Sequence, residues 1–137
     1  MKFREMKYTR PDVAAIKERI TRNTERLRGA QTYEEAREVF LEEDRATRHD
    51  MTAEVLASIR HSVDTRDTFY DEEMKFWNTA SPELQEYTQM WTQAMLESSF
   101  RPQFSEEFGD VMFVNAEIEL KTFSPEIIPE LQKENEL

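Results

Sequence analysis

Cysteine is absent from the 137 residues. Disulfides and thiolate zinc sites are therefore excluded, and a cytoplasmic address is expected. Only two glycines occur, Gly29 and Gly109. A loop that brings backbone amides up to phosphate needs a richer supply, so a P-loop and a dinucleotide fingerprint are excluded. No apolar run approaches the roughly 18 residues a membrane helix needs. The opening MKFREMKYTRPD has no apolar h-region and does not read as a secretory signal. Alternating β-branched residues, the mark of strands, are nearly missing.

Positive charge is also scarce. Eighteen Lys and Arg face 29 Asp and Glu, a formal charge of -11. Such a field repels phosphate backbones and anionic membrane surfaces, so neither nucleic acid nor membrane is expected as a partner. Disorder is not implied, because 38% of residues are hydrophobic and can form a core. The length suits a single domain spanning residues 1–137.

What is present is helical periodicity. Thr9 and Asp12 have the spacing of a capping box, with Pro11 suited to a first turn. Val13, Ile16, Ile20 and Leu27 form one stripe, and Gly29 is placed to cap its end. Thr32 and Glu35 open a second helix. Ala36, Val39, Phe40, Met51, Val55, Ile59 and Val63 keep its period. Neither proline nor glycine interrupts residues 32–80. The pattern predicts one long helix, or two with a bend at 64–67 where Thr65 and Asp67 can cap.

Ser81-Pro82-Glu83 reads as a new helix start, with Leu84, Tyr87, Trp91, Ala94 and Met95 as its apolar stripe. Arg101-Pro102 ends or bends that helix, and a short piece over 103–108 closes at Gly109. Asp110 begins a helix with Met112, Phe113, Ala116 and Leu120 inward. Ser124-Pro125 and Pro129 mark further turns. The whole is an all-α bundle of about five to six helices.

The stretch IRHSVDTRDTFYDEE, residues 59–73, concentrates a histidine, a serine and several carboxylates. A zincin needs His-Glu-x-x-His, which occurs nowhere here. Glu-x-x-His, the di-iron motif, is missing too, since Ala46 and Ser58 stand three residues before His49 and His61. Ser62 and His61 are neighbours and do not face each other on a helix, which weighs against a triad. His61, Asp64, Asp67 and Asp71 remain as a polar row. Their oxygens suit a divalent cation, but interleaved Arg60 and Arg66 favour a salt-bridged surface or helix contact. Phe69, Tyr70, Phe76, Trp77, Tyr87 and Trp91 have the spacing of core rather than of a ligand platform. No catalytic or metal residue is assigned.

The run ASIRHSVDTRDTFYDEEMKFWNTASPELQEY (57–87) resembles the N-terminal domain of bacterial oligoendopeptidase F, a branch of the thimet-oligopeptidase-like zinc metallopeptidases. FREMKYTRPDV (3–13) and the segment from FRPQF to KENEL (100–137) are similar to that family as well. The resemblance implies a helical N-terminal lobe that helps wall a deep channel admitting short peptides. It implies zinc, held by His-Glu-x-x-His and a further glutamate, only in the catalytic half of a parent chain. No position here matches that motif, so no cofactor is assigned to this chain and it is expected to be inactive alone.

The apolar C-terminal segment PEIIPELQKENEL has no helix-stop signal. The expectation is a parent chain that continues into the catalytic domain, which would be the lobe's main partner. Self-association as a dimer through 125–137 is also expected of a lobe with uncovered apolar surface. The competing reading is a stand-alone acidic helical module that binds a partner helix or peptide.

Overall fold

The computed structural model describes residues 3–122. A short 3-10 turn, Phe3–Glu5, leads through extended chain into five helices. They are α1 (Val13–Gly29), α2 (Tyr33–Val63), α3 (Thr68–Glu97), α4 (Arg101–Phe108) and α5 (Val111–Thr122). Short connections fold α1, α2 and α3 back on one another as helical hairpins, and α3 touches each of the other four helices. The all-α bundle read from periodicity is the observed architecture.

Side-chain caps set the helix starts. The Asp12 carboxylate accepts from Ala15 N at 3.2 Å, and the Thr32 hydroxyl accepts from Glu35 N at 3.2 Å. Each satisfies an amide that the first helical turn leaves without a partner. At the other end of α4, Gly109 adopts φ 90°, a conformation that an L side chain strains to reach.

Two apolar clusters hold the bundle. The first joins Leu27, Ala36 and Val39 to Ala94 and Met95, with Phe104 of α4 and Phe113 of α5 fully enclosed. Phe104 lies between Tyr33 and Phe40, its ring 5.2 and 5.3 Å from theirs in edge-on contacts. The second joins Ala53 and Ala57 to Trp77, with Tyr8, Tyr70 and Met74 against it. The N-terminal chain is strapped over this cluster, because Arg60 donates to the Met6 carbonyl and Tyr8 donates to Glu73 at 2.7 Å.

Several expectations are corrected. Pro11 precedes the cap of α1, and Asp12 rather than Thr9 is the capping residue. Gly29 is the last helical residue of α1, with Ala30 as an extended cap, so no left-handed turn is used there. Asp67, not Thr65, caps α3. Ser81-Pro82 does not begin a helix, since α3 runs through it. The proline removes the amide that the Asn78 carbonyl would receive, a cost that helix packing on either side offsets. Ser81 donates to Glu54 at 3.3 Å instead of capping.

The stripe Met51, Val55, Ile59, Val63 does not face the core. Ala53, Leu56 and Ala57 do, and the four larger side chains are exposed, Val55 at 51% and Val63 at 80%. Small residues allow α2 to approach α3 closely, which turns the bulkier stripe outward. Phe69, expected in the core, is 53% exposed. Of the four residues expected inward, Phe113 is buried and Met112, Ala116 and Leu120 are half-buried, while Val111, Val114 and Ile118 lie outside. The turn at 124–125, the helix from Pro129 and the dimer surface at 125–137 lie outside the described residues. No described helix is long and apolar enough to cross a membrane.

Candidate functional site

The polar row of the sequence lies at the tight turn joining α2 to α3. Asp64 closes α2, and its carboxylate accepts from Arg66 N at 3.0 Å. Asp67 opens α3, and its carboxylate accepts from Phe69 N at 2.9 Å. These are the local backbone bonds that short acidic side chains favour at turns. His61 and Asp71 meet across the hairpin, Nε2 to Oδ1 at 3.6 Å, and Asp71 also pairs with Lys75 at 3.4 Å. Ser62 donates to its own helix, to the Ser58 carbonyl at 3.0 Å. The turn therefore brings His61 to Asp71, while Asp64 and Asp67 are spent on backbone amides. Among the described residues no three His, Asp or Glu converge to hold a metal.

Two buried carboxylates that the sequence reading passed over organise the interior. Glu73 is 3% exposed and accepts from Tyr8, from Arg10 Nε at 3.0 Å and from the Arg10 terminal nitrogen. Trp77 Nε1 donates to the Tyr8 oxygen at 3.1 Å and completes the chain. The hydrogen-bonded Arg10 guanidinium holds Glu73 below the ordinary carboxylate range. Burial, with the Glu73 bond behind it, pushes the Tyr8 phenol up to about 12, so it stays a donor.

Glu43 is the second. It is 2% exposed and accepts from Arg19, from Asn23 at 2.7 Å and from Thr47. Arg19 also reaches Asp50 at 2.8 Å. Burial works to lower the Arg19 guanidinium, but its bonds to Glu43 and Asp50 outweigh that and hold it above its ordinary value. A signal for both carboxylates exists in the sequence. Ala36, Val39 and Glu43 step by three and four, as do Tyr70, Glu73 and Trp77, so each glutamate occupies a core position of its helix.

Beside this network lies a cleft of about 660 Å³ between α1, α2 and α3, with Glu119 of α5 at one edge. Ile16, Ile20, Trp77 and Leu84 supply apolar walls, and Pro82 lies in the α3 wall. Gln85, Thr88 and Ser81 supply polar groups, and Arg19, Asp50 and Glu54 add charge. Apolar walls with a few polar groups suit an extended chain segment or a side chain. Within the cleft Ser81 donates to Glu54 at 3.3 Å, and no histidine is among its lining residues. The position of the cleft is illegible in the sequence, because Ser81-Pro82 has the pattern of a helix start and α3 runs through it.

Comparison with known proteins places this architecture. The Peptidase M3 N-terminal domain family matches residues 3–123. No curated protein matches the chain. Among solved structures, an oligoendopeptidase F from Bacillus anthracis str. Ames superposes with a TM-score of 0.86 at 37% identity, over 99% of this chain and 25% of that one. PZ peptidase A with an inhibitor superposes with a TM-score of 0.86 at 32% identity, over 98% of this chain and 24% of that one. A second oligoendopeptidase F gives the same TM-score and identity over 99% of this chain. The chain thus spans about a quarter of the length of these solved peptidases. With the match extending over every described residue, the chain belongs to the Peptidase M3 N-terminal domain family.

Proposed function

We propose that this chain serves as the N-terminal helical domain of a zinc-dependent oligoendopeptidase and helps wall a channel that admits short peptides. The observation that carries the reading is the superposition of 98–99% of the chain on one quarter of solved oligopeptidases. The acidic bundle and its apolar-walled cleft suit a wall that meets peptide, and Gln85 and Thr88 suit polar contacts to a peptide backbone. Zinc in such a peptidase polarises the scissile carbonyl and activates water. The described residues do not fit that ion, since no ligand cluster is assembled, and no step through it is assigned to them.

The test uses internally quenched short peptides and a folded protein as substrates. This chain alone, with zinc added, is expected to give no hydrolysis. A chimera in which it replaces the matched quarter of the B. anthracis enzyme is expected to cleave the short peptides and spare the folded protein. Zinc-dependent cleavage by the chain alone, or a folded chimera that cleaves folded protein freely, would overturn the proposal.

A further inference from the structure

Helix α2 is apolar on two opposite sides. Ala53, Leu56 and Ala57 face inward and are buried. The outer side over 51–63 carries Met51, Thr52, Val55, Ser58, Ile59, Ser62 and Val63, all exposed. At about 100° per residue these seven span an arc of roughly 140°. That arc contains no charged residue in a chain that is 34% Asp, Glu, Lys and Arg.

Two of its three hydroxyls are prepared for burial. Thr52 donates to the Arg48 carbonyl at 2.8 Å and Ser62 to the Ser58 carbonyl at 3.0 Å. Covering these two would leave neither donor unpaired, so the usual penalty for burying a hydroxyl is avoided at both. Bulky Met51, Val55 and Ile59 beside small Ser58 and Ser62 give ridges and grooves of the kind that accept another helix. A helix apolar on both sides has the pattern of one enclosed on both sides.

We infer that the outer face of α2, centred on Val55 and Ile59, is the surface on which the remainder of the peptidase chain packs an apolar helix. The inference rests on the functional reading above. The solved relatives hold this region as about a quarter of one polypeptide, so three quarters of such a chain is tethered to it and available to cover it. A second copy is the weaker occupant. Two copies at -11 each repel, whereas a tethered partner sits at high effective concentration.

The absence of native cysteine from this chain gives a clean reporter here, and in the chimera any cysteine of the remaining three quarters is first replaced by serine. Val55→Cys is compared with Glu18→Cys, on the exposed side of α1, by thiol labelling in this chain and in the chimera. Val55→Cys is expected to label freely in this chain at all concentrations and at least about tenfold more slowly in the chimera, where reaction requires local opening. Labelling of Val55→Cys in the chimera at the rate seen in this chain would overturn the inference. So would protection that grows with the concentration of this chain alone, which would assign the face to a second copy. Peptide cleavage by the same chimera reports separately on the functional reading. An active chimera with unprotected Val55→Cys therefore fails this inference and leaves that reading standing. In a second variant, Ile59→Glu, the melting temperature is expected to fall in the chimera and to stay within about 2 °C in this chain, where the side chain is already exposed. Equal loss in both would mean a role within the bundle and would also overturn the inference.

Discussion

Replacing Glu43 by alanine tests how the bundle tolerates a carboxylate in its interior. Glu43 and Glu42 are adjacent, and each meets an arginine. Glu43 is enclosed with Arg19, Asn23 and Thr47, while Glu42 meets Arg26 at a surface where both side chains are about half exposed. Removing one partner of a buried pair typically costs about 3–5 kcal/mol, because the other is left desolvated without its counter-charge. Arg19 keeps Asp50 at 2.8 Å, which places Glu43→Ala near the lower end, at about 3 kcal/mol. Asn23, fully buried, loses its 2.7 Å acceptor and accounts for part of that cost. For a domain of this size the loss lowers the melting temperature by about 12 °C. Glu42→Ala is expected to cost under about 1 kcal/mol, as exposed ion pairs do. Glu43→Gln keeps the shape but weakens the charge-assisted bonds and should fall between, at about 1–2 kcal/mol. Thermal and urea unfolding followed by circular dichroism give all three values. Equal, small losses for Glu43→Ala and Glu42→Ala would refute the reasoning, since burial would then make no difference.

Three further outcomes follow from the same geometry. Glu73 is held below its ordinary value of 4.5 by Arg10, so its contribution is present above that pH and is lost as pH falls through the lower folded value. Melting temperature should therefore drop on acidification below about pH 4.5, and Glu73→Gln should flatten that drop; an unchanged acid limb would count against the pair. Asp67→Ala removes the cap of α3 and should cost about 1 kcal/mol in urea unfolding, whereas an effect near zero would mean that water caps the helix equally well. Phe104→Ala empties a fully enclosed site among Tyr33, Phe40 and Phe108 and should cost about 3–5 kcal/mol, so a loss below about 1 kcal/mol would show that α4 contributes little to the core.

Turn chemistry was readable because it is local. Asp67 and Thr32 cap their helices through bonds to residues two or three positions away, and such bonds depend only on neighbours in the chain. The behaviour of the histidine stretch follows from the same locality. Asp64 and Asp67 serve backbone amides, and only Asp71 comes back across the turn to His61. Pro82 misled because its position after a serine satisfies the rules of a helix start. Packing of α3 against α1 and α2 overrides that local preference.

By itself the sequence determined the helical class, the acidic surface and the absence of metal-motif spacing, and it offered the break at 64–67 as one of two readings. All of these follow from composition and from periodicities within single helices. Tertiary structure alone decided which side of α2 is inside, since both sides carry apolar residues at helical spacing and only the close approach of Ala53 and Ala57 to Trp77 breaks the tie. It also decided that Glu73 is buried with Tyr8 and Arg10, partners 65 and 63 residues away. No local rule reaches that far along a chain. The pairing becomes visible only when the folded bundle brings the N-terminal strap across α3.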